Sequence, residues 1–394
     1  MQRNCVRYII NAIFVVKLQI FFVMQYNTED SVKYHYGAFP PKEIDYSLFI
    51  SELLSATDAL ARYDQMLKNM HNNEILLAPM RNREALLSSR IEGTISTMDE
   101  IMQYEADDDG TASVQAKSDV IEIVLYQRAL KNAQQVLDSR YQFNVNFIKQ
   151  LHQQMLYAGR GASKSPGEFK TSQNFLADKT RRNVEYVPIS PEHLQEGLDK
   201  LMHFISDSSL PSLVKTAIIH LEFEALHPFQ DGNGQIGRML ITLHLWMEKM
   251  LSQPYVYISD YFDQHNEEYI EAMRNVSRTG NWNEWIRFFL EAVKAQAISN
   301  LDISEEIYNL YEEMKSEFVK LLASKWNMEI LDFLFTNPVF RNNKFIRNTG
   351  IPTATAGNII KRLLDAGYLV QKEEPSGRRA ALYSFEPLMR LVRV

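Results

Sequence analysis

Apolar residues recur at helical spacing along most of this chain. Leu53, Leu54, Leu60 and Leu67, then Met80 to Ile91, predict two helices, the second stopped by Gly93 just after Glu92. The acidic run Asp107-Asp-Asp-Gly110 predicts a loop. The period resumes from about Val114 to Leu137 and from Asn144 to Tyr157. Residues Ala158 to Pro191 break it with several Gly and Pro residues and two extended runs, Gln173-Asn-Phe-Leu and Val184-Glu-Tyr-Val187, which predict a hairpin between helices. Helices follow at about Glu192 to Ile205, Leu213 to Leu226, Gln235 to Leu251, Asn266 to Arg278 and Asn283 to Ile298. The predicted fold class of the body is therefore all-α with one small β-hairpin.

Beyond the body, Ile303, Ile307, Leu310, Met314, Phe318 and Leu321 step by 4, 3, 4, 4 and 3. That spacing predicts either a coiled-coil seam, which would allow a homodimer, or a connecting helix packed on its own domain. The remainder predicts helices at about Met328 to Phe335, Arg341 to Arg347 and Thr353 to Ala366. Extended runs Tyr368-Leu-Val370 and Ala381-Leu-Tyr-Ser-Phe385 then flank a basic tip, Glu374-Pro-Ser-Gly-Arg-Arg379. Three helices and a two-stranded wing are the winged helix-turn-helix plan. The expected division is a leader over 1–34, a helical region over 35–110, a core over 111–300, a linker helix over 301–327 and a small terminal domain over 328–394.

The leader holds an apolar run, Tyr8 to Val23, behind Arg3 and Arg7. Lys17 interrupts it, no small-x-small cleavage site follows, and it is short of the roughly 20 apolar residues of a membrane span. Three readings stand: a signal, an anchor, or an upstream translation with Met24 as the true start. No stable membrane association is expected. The 394 residues are 45% hydrophobic and 23% charged, ordinary for a soluble globular protein. A net charge of −7 argues against a molecule that coats nucleic acid as a whole. A single cysteine, Cys5, excludes a disulfide framework within the chain and suits a reducing, cytoplasmic setting where ATP is at hand.

Chemistry concentrates between two apolar helices, in His227-Pro-Phe-Gln-Asp-Gly-Asn-Gly-Gln-Ile-Gly-Arg238. Asp231-Gly-Asn-Gly234 is a tight turn at a helix N-terminus, where free N–H groups and the helix dipole make an anion site. Arg238, one turn on, can clamp a phosphate. Asp231 offers a hard oxygen to Mg²⁺, and His227 can take a proton from an attacking hydroxyl. A base, a metal ligand, an anion cradle and a cation within twelve residues suit attack on a nucleotide phosphate.

This segment resembles the signature of Fic (Fic/Doc) proteins, HPF-x-[DE]-GNG-R-x-x-R, at eight of nine defined positions. Ser88-Ser-Arg-Ile-Glu-Gly93 resembles the inhibitory motif [ST]-x-x-x-E-[GN] of self-restrained members. Leu151-His, Arg160-Gly and Pro166-Gly-Glu-Phe-Lys-Thr-Ser-Gln-Asn174 resemble the approach to the family's flap hairpin, and Asn281-Trp-Asn-Glu-Trp-Ile286 resembles its closing helix. The resemblance runs from about residue 35 to 295. It implies a helical Fic core that transfers AMP from ATP to a Ser, Thr or Tyr hydroxyl of a protein, itself included.

By that resemblance His227 is the general base and Asp231 holds Mg²⁺. The amides of Gly232, Asn233 and Gly234 cradle the α- and β-phosphates, and Arg238 binds the γ-phosphate. The flap over Asn183, Val184, Glu185, Tyr186, Val187 and Pro188 registers the target by strand addition. Glu224, one helical turn before His227, and Tyr261, where related proteins line the adenine side, each read equally well as nucleotide-binding or structural. Gln235 stands where the family carries its first arginine, which predicts a weaker grip on the triphosphate because a neutral amide supplies no charge. In self-inhibited members the glutamate matching Glu92 pairs with the arginine matching Arg238, so Ser88, Glu92 and Gly93 are expected to form a brake.

A second functional reading is a DNA-binding transcriptional regulator with a weak or repurposed Fic core, one that uses another nucleotide or removes AMP; the winged helix reads equally well as a protein-docking or dimerisation unit. Residues 341–394 carry 10 Lys/Arg against 4 Asp/Glu, with Lys361 and Arg362 on the expected recognition helix and Arg378 and Arg379 on the wing tip.

Overall fold

A computed structural model describes residues 28–69, 74–107, 117–138, 143–178, 183–377 and 379–393. The apolar run Tyr8 to Val23, residues 108–110 of the acidic run, the tip of the flap hairpin and Arg378 lie outside the described residues. Among those described the fold is predominantly helical, with two small three-stranded sheets.

Two helices, α1 (Ile50–Asn69) and α2 (Glu74–Ile91), are followed by α3 (Met98–Asp107). Sequence periodicity missed α3. Its signal was a capping box: the Thr97 N–H donates to Glu100 Oε2 and the Glu100 N–H donates back to Thr97 Oγ1. Then come α4 (Ser118–Asp138) and α5 (Val145–Leu156), the latter capped by Asn144, whose Oδ1 accepts the Phe147 N–H at 2.9 Å.

The centre is an antiparallel pair, α7 (Ser212–Leu226) and α8 (Asn233–Met247), buried along nearly its whole length. Helices buried on every side lack a polar stripe and must be enclosed by others. Here α6 (Pro191–Asp207) covers α7, and α2, α4 and α5 cover α8. Two further helices, α9 (Ser259–Gln264) and α10 (Asn266–Thr279), complete the shell.

The two helices expected around residues 283–298 and 302–323 are one, α11 (Trp282–Leu322), 41 residues long. Ser299, Asn300 and Leu301 include no helix breaker, and buried Asn300 accepts from Gln296 at 3.0 Å. The segment expected as a separate linker is thus an extension of the core's closing helix. Its apolar seam is covered within the chain: Ile307, Met314 and Phe318 are buried. The dimer that an exposed seam would allow has no support there.

The C-terminal unit comprises α12 (Asn327–Thr336), β4 (Val339–Arg341), α13 (Asn342–Thr349), α14 (Thr353–Asp365), β5 (Leu369–Glu373), β6 (Leu382–Phe385) and α15 (Glu386–Val392). Arg341, expected to start a helix, ends strand β4, which pairs antiparallel with β6. Far from standing apart, this unit packs on α3 through β4 and on α2 through α12 and α15.

The flap departs from expectation. Its strands are β2 (Leu176–Ala177) and β3 (Val184–Val187), and a third strand, β1 (Val32–Lys33), pairs parallel to β3. Residues 28–34, assigned above to the leader, therefore belong to the body. Tyr34 donates its hydroxyl to Glu222 Oε1 at 2.7 Å and its N–H to Val187 O at 2.9 Å. With β1 on one side and β2 on the other, β3 has no free edge for an incoming strand. The strand addition expected over 183–188 therefore finds no open edge on β3; among the described residues the unpaired edges of this sheet are the outer ones of β1 and β2. No helix of the described residues is long and apolar enough to cross a membrane. Tyr34→Phe removes a hydrogen bond to a buried carboxylate and is expected to cost about 1.5–3 kcal/mol, measured by urea unfolding.

Candidate active site

The α7–α8 connection is held rigid by its own backbone partners. His227 closes α7 in the left-handed region (φ 46°), and Gly232 (φ 73°) opens α8. Asn233 ties the turn to itself, accepting the Phe229 N–H at 2.8 Å and donating to Phe229 O at 2.9 Å. Phe229 is fully buried and stacks on His152 with centroids 3.7 Å apart. His152 Nδ1 accepts the Gly167 N–H, so its Nε2–H donates to Asp231 O at 3.0 Å. Burial pushes this imidazole down to about 4 and keeps it neutral.

Two residues that the pattern analysis did not single out fasten the other side. Lys170 Nζ donates to Leu226 O, the end of α7, and to Asn174 Oδ1. Asn174 Nδ2 donates to His227 O and Phe229 O. Lys170 is buried, which pushes its ammonium down to about 7. Their sequence signal was slight: a lysine and an asparagine in the run leading to the flap.

His227 is half-buried, with Nδ1 at 3.3 Å from Glu224 O. A proton on Nδ1 leaves Nε2 as the free acceptor. Burial, then the charge of Lys170, holds its pKa far down, at about 3, so the ring is neutral at physiological pH. Asp231 Oδ1 accepts the Gly232 N–H at 2.9 Å, and its other oxygen accepts from none of the described residues. Of the three amides expected to form the cradle, that of Gly232 is thus already engaged within the loop. The first-turn donors free of intrahelical partners belong to Asn233, Gly234 and Gln235, and no side chain caps this terminus.

A carboxylate sits over that terminus. Arg238 is almost fully buried; its Nε donates to Ser88 Oγ at 2.9 Å, and its Nη2 donates to Ser88 O and to Glu92 Oε1, both at 2.8 Å. Burial opposes its charge, but Glu92, Tyr269 and Glu224 outweigh this and raise its pKa. A Cβ at Gly234 would lie 2.1 Å from Glu92 Oε1, so only glycine lets this carboxylate settle there. Gly93 (φ 84°) turns the chain away directly afterwards. Gln235 Nε2 donates to Ser89 Oγ at 2.9 Å. The position that departs from the family signature is thus a second tie between α8 and α2.

Glu224 also acts electrostatically on this cation. Its Oε1 is buried without a partner against Gly237, and burial pushes the carboxyl up to about 8, Arg238 opposing and Glu92 adding to the rise. Tyr261 stacks on His265 at 4.2 Å and donates its N–H to Gln296 Oε1 at 3.0 Å.

Residues 50–135 match the Fic/DOC family N-terminal model, and residues 142–245 match the Fic/DOC family. The chain belongs to the Fic/DOC family across that span. It is similar to Protein adenylyltransferase fic-1 of Caenorhabditis elegans, 27% identical over 105 residues, 26% of this chain and 19% of that protein. It is also similar to Protein adenylyltransferase Fic of Nematostella vectensis, 25% identical over 200 residues, 50% of this chain and 43% of that protein. The chain thus spans less than half the length of these curated relatives. A Fic family protein from Desulfovibrio desulfuricans shares the fold over 88% of this chain and 98% of its own, with a TM-score of 0.56 at 16% identity.

Because the Lys170 charge helps to depress His227, Lys170→Met is expected to raise the histidine's pKa. The acid limb of the kcat/KM profile, recorded with Glu92 replaced by Gly, should move to higher pH, and the rate should fall as the loop loses its anchor.

Proposed function

We propose that this chain transfers AMP from ATP to a Ser, Thr or Tyr hydroxyl of a protein, itself included, and that Glu92 restrains the reaction by holding Arg238. The observation that carries the reading is the Glu92 carboxylate placed both on Arg238 and over the α8 N-terminus. A buried guanidinium and a row of free amides form a seat for phosphate, and here an acid from the turn after α2 fills it. With Glu92 in place, the triphosphate sits shifted and its α-phosphate is misaligned for attack.

Once Glu92 moves away, Arg238 receives the γ-phosphate, and the amides of Asn233, Gly234 and Gln235 receive phosphate oxygens nearer the sugar. His227 Nε2 takes the proton of the target hydroxyl. The hydroxyl oxygen bonds to the α-phosphorus, the bond to the β-phosphate oxygen breaks, and pyrophosphate leaves. The open oxygen of Asp231 beside the cradle fits Mg²⁺, which takes one or two carboxylates and completes its shell with phosphate and water oxygens. Such an ion would offset the negative charge of the polyphosphate. The target segment aligns on the outer edge of β2, next to Asn174 and hence to the His227 backbone. The neutral Gln235 leaves Arg238 as the loop's own cation for the triphosphate.

DNA binding by the C-terminal unit loses support from the same structure. Of its ten basic residues, Arg341, Lys344, Arg362, Lys372, Arg379 and Arg393 bond within the chain.

Incubation of the wild type and Glu92→Gly with labelled ATP, CTP, GTP and UTP tests the proposal. The variant should label itself with AMP about ten- to a hundredfold more strongly than the wild type, as loss of one charged hydrogen bond implies. His227→Ala in the same background should abolish labelling. Equal labelling with and without His227, or no gain in Glu92→Gly, would sink it.

A further inference from the structure

We propose that the C-terminal unit sets the hold of Glu92 on Arg238, because its arginines grip the acidic face of α3 and so fix the short turn that carries Glu92. The inference rests on the brake proposed above and names what regulates it.

Asp99, Gln103 and Asp107 stand four residues apart on α3 and therefore share one face. The C-terminal unit holds each of them. Arg393 reaches Asp99 at 2.9 and 3.0 Å. Gln103 donates to Glu373 at 2.6 Å. Asp107 receives two arginines at once, Arg341 on Oδ1 at 2.6 Å and Arg379 on Oδ2 at 2.7 Å. Lys344 adds a bond to the Glu105 carbonyl at 3.1 Å. Arg341 and Asp107 are both buried, so if either withdraws the other loses a charged partner that water does not replace, and Asp107 is left with Arg379 and Arg341 with Glu373.

Six residues, Glu92 to Thr97, separate α2 from α3. That stretch has little slack. The Glu92 N–H and the buried Thr94 N–H both donate to Ser89 O, and the Ile95 N–H donates to Asp119 on α4. α12 and α15 also pack on α2 itself, so the C-terminal unit touches both helices that flank the turn. Glu92 is about one third exposed, and a single hydrogen bond joins its carboxylate to Arg238. A small displacement of α3 is enough to break that one bond. Six basic side chains of the C-terminal unit thus have an internal partner, and three of them, Arg341, Arg379 and Arg393, serve as the clamp.

The test uses the full chain and reads hydrogen–deuterium exchange at residues 89–94 beside self-labelling. Asp107→Asn weakens the buried pair, and Arg393→Gln weakens a half-exposed one in case the first variant folds poorly. Both should speed exchange at 89–94 and raise self-labelling several-fold, whereas Arg379→Lys, which keeps the charge, should leave both close to wild type. Combined with Glu92→Gly, either clamp variant should add nothing to labelling, since the brake is already gone. A merely structural role would instead lower labelling in both backgrounds. Faster exchange within α3 with unchanged exchange at 89–94 would overturn the clamp, as would an equal labelling gain in the Glu92→Gly background. Faster exchange at 89–94 with no labelling by any variant, Glu92→Gly included, would support the clamp and count against the AMP transfer.

Discussion

A guanidinium buried as deeply as that of Arg238 must have acceptors, and this requirement organises the site. An unpaired buried charge costs several kcal/mol, so every arrangement of the protein has to present something negative to it. At rest Ser88 of α2 and Glu92 of the turn after it meet the demand. In the proposed working state a phosphate takes over from Glu92. In that proposal catalysis and restraint compete for one cation, and the affinity for nucleotide is the affinity left after Glu92 has been displaced.

The same demand shapes the residues around it. Gly234 stays bare so that an anion can approach the α8 terminus, whichever anion it is. Gln235 turns to Ser89 instead of reaching outward, which strengthens the α2–α8 contact where an arginine would have added a second cation. Neutral histidines line the region: His152 under the loop, His220 against Tyr269 and the Gly237 carbonyl, and His227 at its mouth. Burial holds all three low, so none adds a positive charge that would compete with Arg238.

Much of this was legible in the chain. Long apolar stripes located most core helices, because periodicity reports burial directly. The Asp231-Gly-Asn-Gly234 turn announced itself through residues that tolerate unusual backbone angles. Other features were hidden for physical reasons. Two-residue strands such as β1 carry no period, so the occupied edge of β3 could not be foreseen. Helix α3 turns a charged face to the C-terminal unit, so it carries little apolar period, and its last residue, Asp107, read as the start of a loop. The surplus of positive charge after residue 341 was visible, but charge counts do not say which carboxylates lie opposite. Tertiary pairing turned that surplus inward. Lys170 and Asn174 act on backbone carbonyls, which leave no trace in side-chain pattern.

The unbroken helix α11 links these themes. Its start lies in the core, where Trp285 Nε1 donates to Ala217 O at 2.7 Å, and its end lies in the C-terminal unit, where Arg362 donates to Leu322 O. A straight helix of 41 residues spans about 60 Å and turns about 100° per residue. The angular setting of the C-terminal unit about this axis is consequently a property of residue count. One residue gained or lost midway would swing the arginines about a quarter turn away from α3, while a change of seven would nearly restore their bearing and only lengthen the reach. Any lengthening or shortening of this helix that preserves the grip on α3 must therefore come in near-whole turns, as spacing along a screw thread does.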